Sequence, residues 1–422
     1  MYVADSRSTP AAAAARLTTG RRSAVAPTVL ALGAVSLITD VSSEMVTAVL
    51  PLYLVTGLGL TPLGFGLLDG VYNGFSALVR LVGGHLADRG GRHKSVAVLG
   101  YGLSAVCKPL LLVAGSLPVI GAVLAVDRTG KGLRTAPRDA LISLASAPEA
   151  RGRAFGVHRA MDTAGALLGP LAAFLILRQA VDGYDAVFTV SFCVAAVGVL
   201  VLLLFVPART APERAPGAPR PSLKAALALL AERDVRRLTL CALLLGLATV
   251  SDSFVYLLLQ RRLDVPDRWF ALLPLGTAAA FLLLAVPLGR LADRVGRWRV
   301  FLGGHAALLC AYGLLLPGRQ GAALPYVVLA LHGLFYAATD GVLMAAAAGA
   351  VPAELRSSGL ALIQTGQASA RFVCSIAFGA AWTAWGDRTA LSTAALALTA
   401  CAAGAMLLRP TDAAASTREA AA

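Results

Sequence analysis

The sequence predicts an all-α membrane protein with twelve transmembrane helices in two pseudo-symmetric six-helix bundles. Three observations predict this fold class: long apolar segments, a one-sided distribution of positive charge, and an internal repeat. The chain has 422 residues, of which 57% are hydrophobic and only 14% are charged, and its mean hydropathy is +0.73. Soluble proteins carry roughly 25% charged residues, so this composition excludes an ordinary soluble domain.

The apolar segments are close to the roughly 20 residues that a helix needs to cross the hydrocarbon core. Backbone groups find no water partners there, which leaves helices or a closed barrel, and the ten-residue alternation typical of barrel strands is missing. The predicted spans 1 to 12 are 27–57, 63–87, 95–115, 117–146, 153–178, 184–206, 238–261, 268–290, 299–317, 324–350, 356–382 and 387–408.

Positive charge is concentrated in the tails and in the loops on one side of the predicted spans. By the positive-inside rule, this asymmetry predicts that both termini are cytoplasmic, and we expect a bacterial inner (plasma) membrane location. The net charge of +14 therefore indicates membrane topology, and no nucleic-acid partner is expected.

One long connection divides the predicted spans into two sets of six. It begins with five prolines between 207 and 221, followed by a short amphipathic run. The predicted organisation is a disordered cytoplasmic tail (1–26), an N-terminal six-helix bundle (27–206), a cytoplasmic linker with an amphipathic helix (207–237), a C-terminal six-helix bundle (238–408) and a second disordered cytoplasmic tail (409–422).

The two sets repeat a loop at matched positions. Gly84-His-Leu-Ala-Asp88-Arg-Gly-Gly-Arg92 follows span 2, and Gly289-Arg-Leu-Ala-Asp293-Arg-Val-Gly-Arg297 follows span 8. At the same offset, Glu149 and Arg151 align with Glu354 and Arg356. An internal repeat of helical halves is typical of transporters whose substrate site lies at the repeat interface.

These loops resemble the signature loop of the major facilitator superfamily, and the resemblance covers about 27–408. In span 4, Leu124-x3-Arg128-x2-Lys131-Gly132 is similar to a second motif of that family, in which an arginine is linked to proton transfer, although Lys131 stands where the family usually has Gln. In span 5, Gly165-x3-Gly169-Pro170 resembles part of an exporter-associated Gly-Pro motif, with alanines in place of the glycines that follow the proline. The run around Lys131 also resembles a subgroup of bacterial permeases.

The resemblance implies a cytoplasmic latch built from the two signature loops. An acid there can accept hydrogen bonds from the N-terminus of an opposing helix, and basic residues can pair across the two halves. The alternative is that these charges only set topology. The candidate latch residues are Gly84, Asp88, Arg89, Arg92, Gly289, Asp293, Arg294 and Arg297.

Span 4 carries four cations on one helical stripe, namely Arg128, Lys131, Arg134 and Arg138. Each charge costs at least about 2.5–3.5 kcal/mol at a helix centre. The stripe therefore either binds an anionic substrate or is paired with acids. Because the spans of this half contain nearly as many acids as cations, we favour a paired gating or structural network.

Proton coupling requires a carboxylate whose protonation can change. Asp40 and Glu44 lie one turn apart in span 1, and Arg128 is expected to act on them from span 4. We expect Asp162 in span 5 to pair with Arg138. The alternative is a set of fixed structural pairs. The candidates for proton coupling are Asp40, Glu44, Arg128, His158 and Asp162.

The second half holds few charges within its spans. We expect Asp340 and Arg371, both near mid-helix, to pair, and we expect this half to contribute polar and aromatic substrate contacts. Ordinary helix packing is the alternative for each of the latter. The candidate cavity residues from both halves are Lys131, Arg134, Arg138, Arg159, Asp252, Tyr256, Tyr336, Asp340, Gln364, Gln367 and Arg371.

Gly66, Gly70 and Gly74 in span 2 repeat every four residues. Small residues at this spacing let two helix backbones approach closely. The pattern predicts a packing face, at an interface that moves.

Enzyme motifs and nucleotide-binding loops are missing from the sequence, so we expect neither catalysis nor a cofactor nor a bound metal. The resemblance implies a secondary transporter that works by alternating access. We favour proton-coupled export of a small organic molecule. The alternatives are an importer or exchanger of an organic anion, a divalent-metal exporter, and a non-transporting membrane receptor. The expected partners are the lipid bilayer, the substrate and protons, with the protein as a monomer.

Overall fold

A computed structural model describes residues 26–90, 93–146, 151–180, 183–207, 228–263, 265–316, 321, 323–351 and 356–408. In a few helical stretches, including 80–90, only the backbone is described. All regular structure in these ranges is helical, in agreement with the predicted all-α class.

Six long helices form the N-terminal half. Helix α1 continues into a π-helical turn, Tyr53–Gly57. The helices are α1 (Pro27–Leu52), α2 (Pro62–Gly90), α3 (His93–Val113), α4 (Leu117–Leu144), α5 (Arg151–Gln179) and α6 (Gly183–Phe205).

Seven helices form the described C-terminal half. One of the six predicted spans is split, one is preceded by a short helix, and the last two run together. The helices are α7 (Arg233–Ala248), α8 (Asp252–Leu263), α9 (Asp267–Phe270), α10 (Leu273–Val295), α11 (Arg297–Leu315), α12 (Leu324–Ala350) and α13 (Arg356–Leu407). Helices α1, α4, α10 and α12 carry proline in their first turn, where its fixed φ and missing N–H suit a helix start.

Nine helical segments of the described residues are long and apolar enough to cross a membrane. Helix α4 falls outside this set because it carries the cations of the predicted stripe. The first six predicted spans correspond to single helices. The prediction was less accurate for the C-terminal half.

Span 7 was predicted as one helix, but the chain leaves the helical path between α7 and α8. Thr249 has an extended backbone (φ −90°, ψ 100°), and the N–H of Val250 donates to the Tyr312 hydroxyl at 2.8 Å. This bond satisfies a buried backbone donor that the broken helix no longer pairs. Helix α7 also starts at Arg233, five residues before the predicted boundary.

Two further predictions concern the linker and the last two spans. The predicted linker lies mostly in 208–227, outside the described residues; its end forms a 3-10 turn, Leu229–Ala231. Spans 11 and 12 run together as α13, with a break at Gly386 (φ 82°, ψ 166°), a conformation that glycine adopts readily and other residues rarely.

Helix packing is densest within each half, with one exception. Helices α2 and α13 form an extensive contact between the halves. A Cβ atom on Gly66 would lie 2.5 Å from the backbone oxygen of Ser375, and one on Gly379 would lie 2.5 Å from that of Pro62. The predicted glycine face of α2 is therefore a close-packing face, and its partner is α13.

The halves meet at the end of the bundle where α2 begins. There the N–H of Leu63 donates to Thr383 at 2.9 Å, and the rings of Phe174 and Trp269 lie 5.0 Å apart. Among the described residues, these contacts close one end of the space between the halves.

Candidate functional site

A cavity of about 410 Å³ lies between the two halves, next to this closed end. Its volume is within the range of about 300–1,000 Å³ typical of small-molecule sites. Five predicted cavity residues line it, together with Glu44 from the coupling set. The polar and charged residues of the lining include Glu44, Thr47, Tyr72, Asn73, Asp252, Tyr256, Tyr336, Asp340 and Arg371.

The cations of α4 lie beside this cavity and are paired. Asp127 accepts hydrogen bonds from Lys108 at 3.1 Å and from the Arg128 Nε at 3.0 Å. Ser104 donates to the same carboxylate at 2.6 Å. The Arg128 guanidinium lies 3.8 Å from the centre of the Tyr72 ring, so an aromatic face covers its remaining surface.

The other three stripe cations connect α4 to neighbouring helices. Lys131 lies 3.7 Å from Glu44, and Arg134 lies 3.4 Å from Asp40; both acids are on α1. Arg138 lies 3.6 Å from Asp162 on α5 and 3.0 Å from its neighbour Asp139. The arrangement is the paired network favoured by the sequence, and it includes the expected Arg138–Asp162 pair.

The expectation that Arg128 acts on the α1 acids stays a prediction, because Arg128 forms its ion pair within α4. Arg128 bonds to Asp127, its neighbour on the same helix, while Lys131 and Arg134, one and two turns further along α4, reach Glu44 and Asp40. The difference is one of position along α4: residues 127 and 131 point in directions only about 40° apart, but they lie one turn apart along the helix axis.

The remaining span 5 candidates differ in exposure. The His158 ring is buried and lies 2.8 Å from the Ser36 hydroxyl. Arg159 lies 3.5 Å from Asp162, but its side chain is 77% exposed, and Arg138 also donates to Ser36 at 3.3 Å. His158 and Arg138 therefore share one hydroxyl partner on α1.

Two glycines of the Gly-Pro fragment press α5 against the acids of α1. A Cβ on Gly165 would lie 3.1 Å from the Asp40 Cβ, and one on Gly169 would lie 2.7 Å from the Glu44 Cβ. No larger residue fits there without separating the helices. The sequence analysis identified these glycines by their spacing from Pro170, but it did not predict their contact with the α1 acids.

The expected pair of Asp340 with Arg371 does not form. Arg371 lies over the ring of Tyr336, with its guanidinium carbon 5.7 Å from the ring centre, and no ion pair within 4.0 Å joins it to Asp340 in the described part of the chain. Tyr336 precedes Asp340 by one turn of α12 and takes the guanidinium face. Asp340 stays exposed in the cavity wall.

Several predicted cavity residues do not line this cavity. Lys131, Arg134 and Arg138 face the α1 and α5 acids, and Arg159 is exposed. Gln364 is exposed with its amide 3.4 Å from the Met344 sulfur, and Gln367 is half-buried.

A polar chain in the C-terminal half went unpredicted. Tyr336 donates to Asp252, and the His332 Nε2 lies 3.5 Å from the same carboxylate. The His332 Nδ1 lies 3.4 Å from Thr277, which accepts from Tyr256 at 3.1 Å. The one sequence signal was the spacing of His332 and Tyr336, which places them on one face of a helix.

The cytoplasmic latch lies largely outside the description. Only the backbone of Gly84, Asp88 and Arg89 is described, and Arg92 lies outside the described residues. In the second copy, Arg297 lies 3.6 Å from Asp293 across an exposed helix boundary. Gly289 and Arg294 lie on the last turns of α10.

The long apolar helices define a multi-pass membrane protein. The family model of the Major Facilitator Superfamily matches residues 32–375, and the chain belongs to this family. It is a secondary transporter, not an enzyme, and its predicted fold class is confirmed.

Relatives and solved structures agree with this assignment. An uncharacterized MFS-type transporter of Methanocaldococcus jannaschii is 29% identical over 381 residues, covering 87% of this chain and 91% of that protein. An uncharacterized protein of Mycobacterium tuberculosis is 38% identical over 156 residues, covering 37% of this chain and 38% of that protein.

Two solved structures share the fold at low sequence identity. The nucleoside transporter NupG superposes with a TM-score of 0.76 at 13% identity, covering 90% of this chain and 98% of that chain. A bacterial homolog of the human lysosomal transporter Spinster, in an inward-facing and unoccupied conformation, superposes with a TM-score of 0.71 at 16% identity, covering 90% of this chain and 96% of that chain.

Proposed function

We propose that the protein exports a small organic molecule in exchange for protons. The observation that carries the proposal is the set of acid–cation pairs that join α4 to α1 and α5. They are Lys131–Glu44, Arg134–Asp40 and Arg138–Asp162. Each pair combines a carboxylate that can take up a proton with a cation on a different helix.

Protonation of one of these acids removes its charge and leaves the cation without its partner. A buried charge that loses its partner costs about 3–5 kcal/mol. Arg134, whose side chain is only 4% exposed, then gains free energy by moving towards another acid or towards water. Proton uptake is in this way linked to a shift of α4 against α1 and α5, the helices that border the cavity.

Sidedness follows from the distribution of positive charge. We place both termini in the cytoplasm of a bacterial cell, with the closed end of the bundle on the outer side of the membrane. The cavity then opens towards the cytoplasm, and alternating access parts the α2–α13 contact while the other end closes. The Gly-Pro fragment that presses α5 onto the α1 acids favours export.

Import or exchange of an organic anion is the alternative that the basic stripe of α4 suggested. That function needs stripe cations that are free to contact the substrate. Arg128 is covered by Tyr72 and paired with Asp127, and the other three have acidic partners. The geometry thus favours coupling over anion binding as the role of the stripe.

Growth assays in an efflux-deficient bacterium test both export and coupling. Wild type, Asp162→Asn and a control, Asp387→Asn, are expressed at matched levels and exposed to a broad toxin panel. Asp387 pairs with Arg262 at 3.1 Å, away from the cavity. We expect resistance to some compounds in wild type and in the control, and loss of resistance in Asp162→Asn.

Proteoliposomes that contain a pH-sensitive dye test the proton directly. Adding a compound identified by growth should move protons in wild type and not in Asp162→Asn. Hypersensitivity of wild-type cells would indicate uptake instead of export. Resistance that persists in Asp162→Asn, Asp40→Asn and Glu44→Gln would contradict the coupling role of all three acids.

A further inference from the structure

The charged lining of the central cavity contains more acids than cations. Glu44, Asp252 and Asp340 face Arg371 across it. Lys131 lies 3.7 Å from Glu44 and balances that acid from α4. The C-terminal wall therefore holds two carboxylates against one guanidinium, and no ion pair within 4.0 Å connects them among the described residues.

Asp252 is placed to contact a bound molecule. It lies in the first turn of α8, directly after the break that separates α7 from α8. One of its oxygens, Oδ1, accepts from Tyr336 and lies near His332. Its side chain is 42% exposed, and the cavity lies against it, so its second oxygen is available to a ligand.

Arg371 offsets only one of the two carboxylate charges in this wall. Its guanidinium is held over the Tyr336 ring, and its buried Nε has no hydrogen-bond partner in the described residues. The arginine is directed at an aromatic face, while Asp252 and the exposed Asp340 line the cavity. A ligand that fills the cavity displaces water from both carboxylates, which is costly unless the ligand carries positive charge.

Aromatic rings complete the wall. Tyr256 and Phe281 line the cavity beside the two acids, whereas Arg371 already lies over the ring of Tyr336. Carboxylates combined with aromatic faces are the groups that recognise organic ammonium ions, since the faces of aromatic rings attract cations. The cavity volume of about 410 Å³ suits an organic molecule of drug size and is much larger than a small inorganic ion requires.

We propose that the cavity binds an organic cation, such as a protonated amine with an apolar or aromatic body, through Asp252 and Asp340. The inference rests on the proposed function, because it names the substrate class of the same cavity. The cation contacts the C-terminal wall, and the N-terminal pairs on α1, α4 and α5 remain available for protons.

Two probes of nearly the same shape and opposite charge test this inference. Tetraphenylphosphonium is a permanent cation, and tetraphenylborate is its anionic counterpart. Each is titrated into the full-length protein in detergent, in the absence of any gradient, and binding is measured by calorimetry. We expect saturable binding of the phosphonium and none of the borate beyond partition into empty micelles.

Three variants locate the site. Asp252→Asn and Asp340→Asn should each weaken phosphonium binding about tenfold or more, which equals about 1.4 kcal/mol. Asp387→Asn, in a pair away from the cavity, should leave binding unchanged. Asp340 is exposed, so its variant keeps the test valid should Asp252→Asn fail to fold.

The inference is overturned by preferential binding of tetraphenylborate, or by unchanged phosphonium affinity in both cavity variants. Its failure is distinguishable from failure of the proposed function. Proton-linked export of an anion would overturn the inference alone. Phosphonium binding that Asp252→Asn weakens, without proton movement in proteoliposomes, would support the inference and contradict coupling.

Discussion

Asp127 is the carboxylate whose loss we expect to destabilise this protein most. Its side chain pairs with Lys108 at 3.1 Å and with Arg128, and the Lys108 and Arg128 side chains are only 4% and 7% exposed. The variant Asp127→Asn leaves two buried cations without an acid. Removing one partner of a buried ion pair costs about 3–5 kcal/mol, and we expect a loss of stability in this range.

Asp69 provides a matched control on the neighbouring helix α2. It is 5% exposed and accepts a hydrogen bond from Ser375 at 2.7 Å. Within the described residues it forms no ion pair. In Asp69→Asn the amide oxygen can still accept from Ser375, so we expect a change of about 1 kcal/mol or less.

Thermal denaturation of the purified protein in detergent distinguishes the two cases. Asp127→Asn should lower the Tm clearly, and Asp69→Asn should not. Adding Lys108→Met to Asp127→Asn removes one of the orphaned cations and should recover part of the loss. Equal Tm changes for the two asparagine variants, or no recovery in the double variant, would refute the argument that pairing decides the cost.

Two further predictions concern helix contacts. Gly66→Val should force α2 away from α13, because its Cβ atom would lie 2.5 Å from the Ser375 backbone oxygen. Spin-label distances between the two helices should therefore lengthen. Unchanged distances would contradict the close contact. Ser36→Ala removes the hydroxyl partner of the buried His158 and should cost about 1–3 kcal/mol. Unfolding measurements check this value, and wild-type stability would show that another group satisfies the imidazole.

The sequence alone determined most of the helices. Spans 1 to 6 match single helices because hydropathy is a local property of the sequence. A segment that crosses the bilayer must form a helix when the alternation of barrel strands is missing. The pairing of the α4 stripe was also predictable, since buried cations in a membrane need acids. The division into tails, bundles and linker stays a prediction.

Only the tertiary structure decided which groups meet. Arg128 pairs with Asp127, while Lys131 and Arg134 pair with the α1 acids. Asp340 faces the cavity because Arg371 lies over the ring of Tyr336. The break before α8 that presents Asp252 was not visible in a segment long and apolar enough to form one span. These choices depend on the rotation and separation of helices distant in sequence. Differences of a few ångströms decide whether two charges pair, and hydropathy carries no information on that scale.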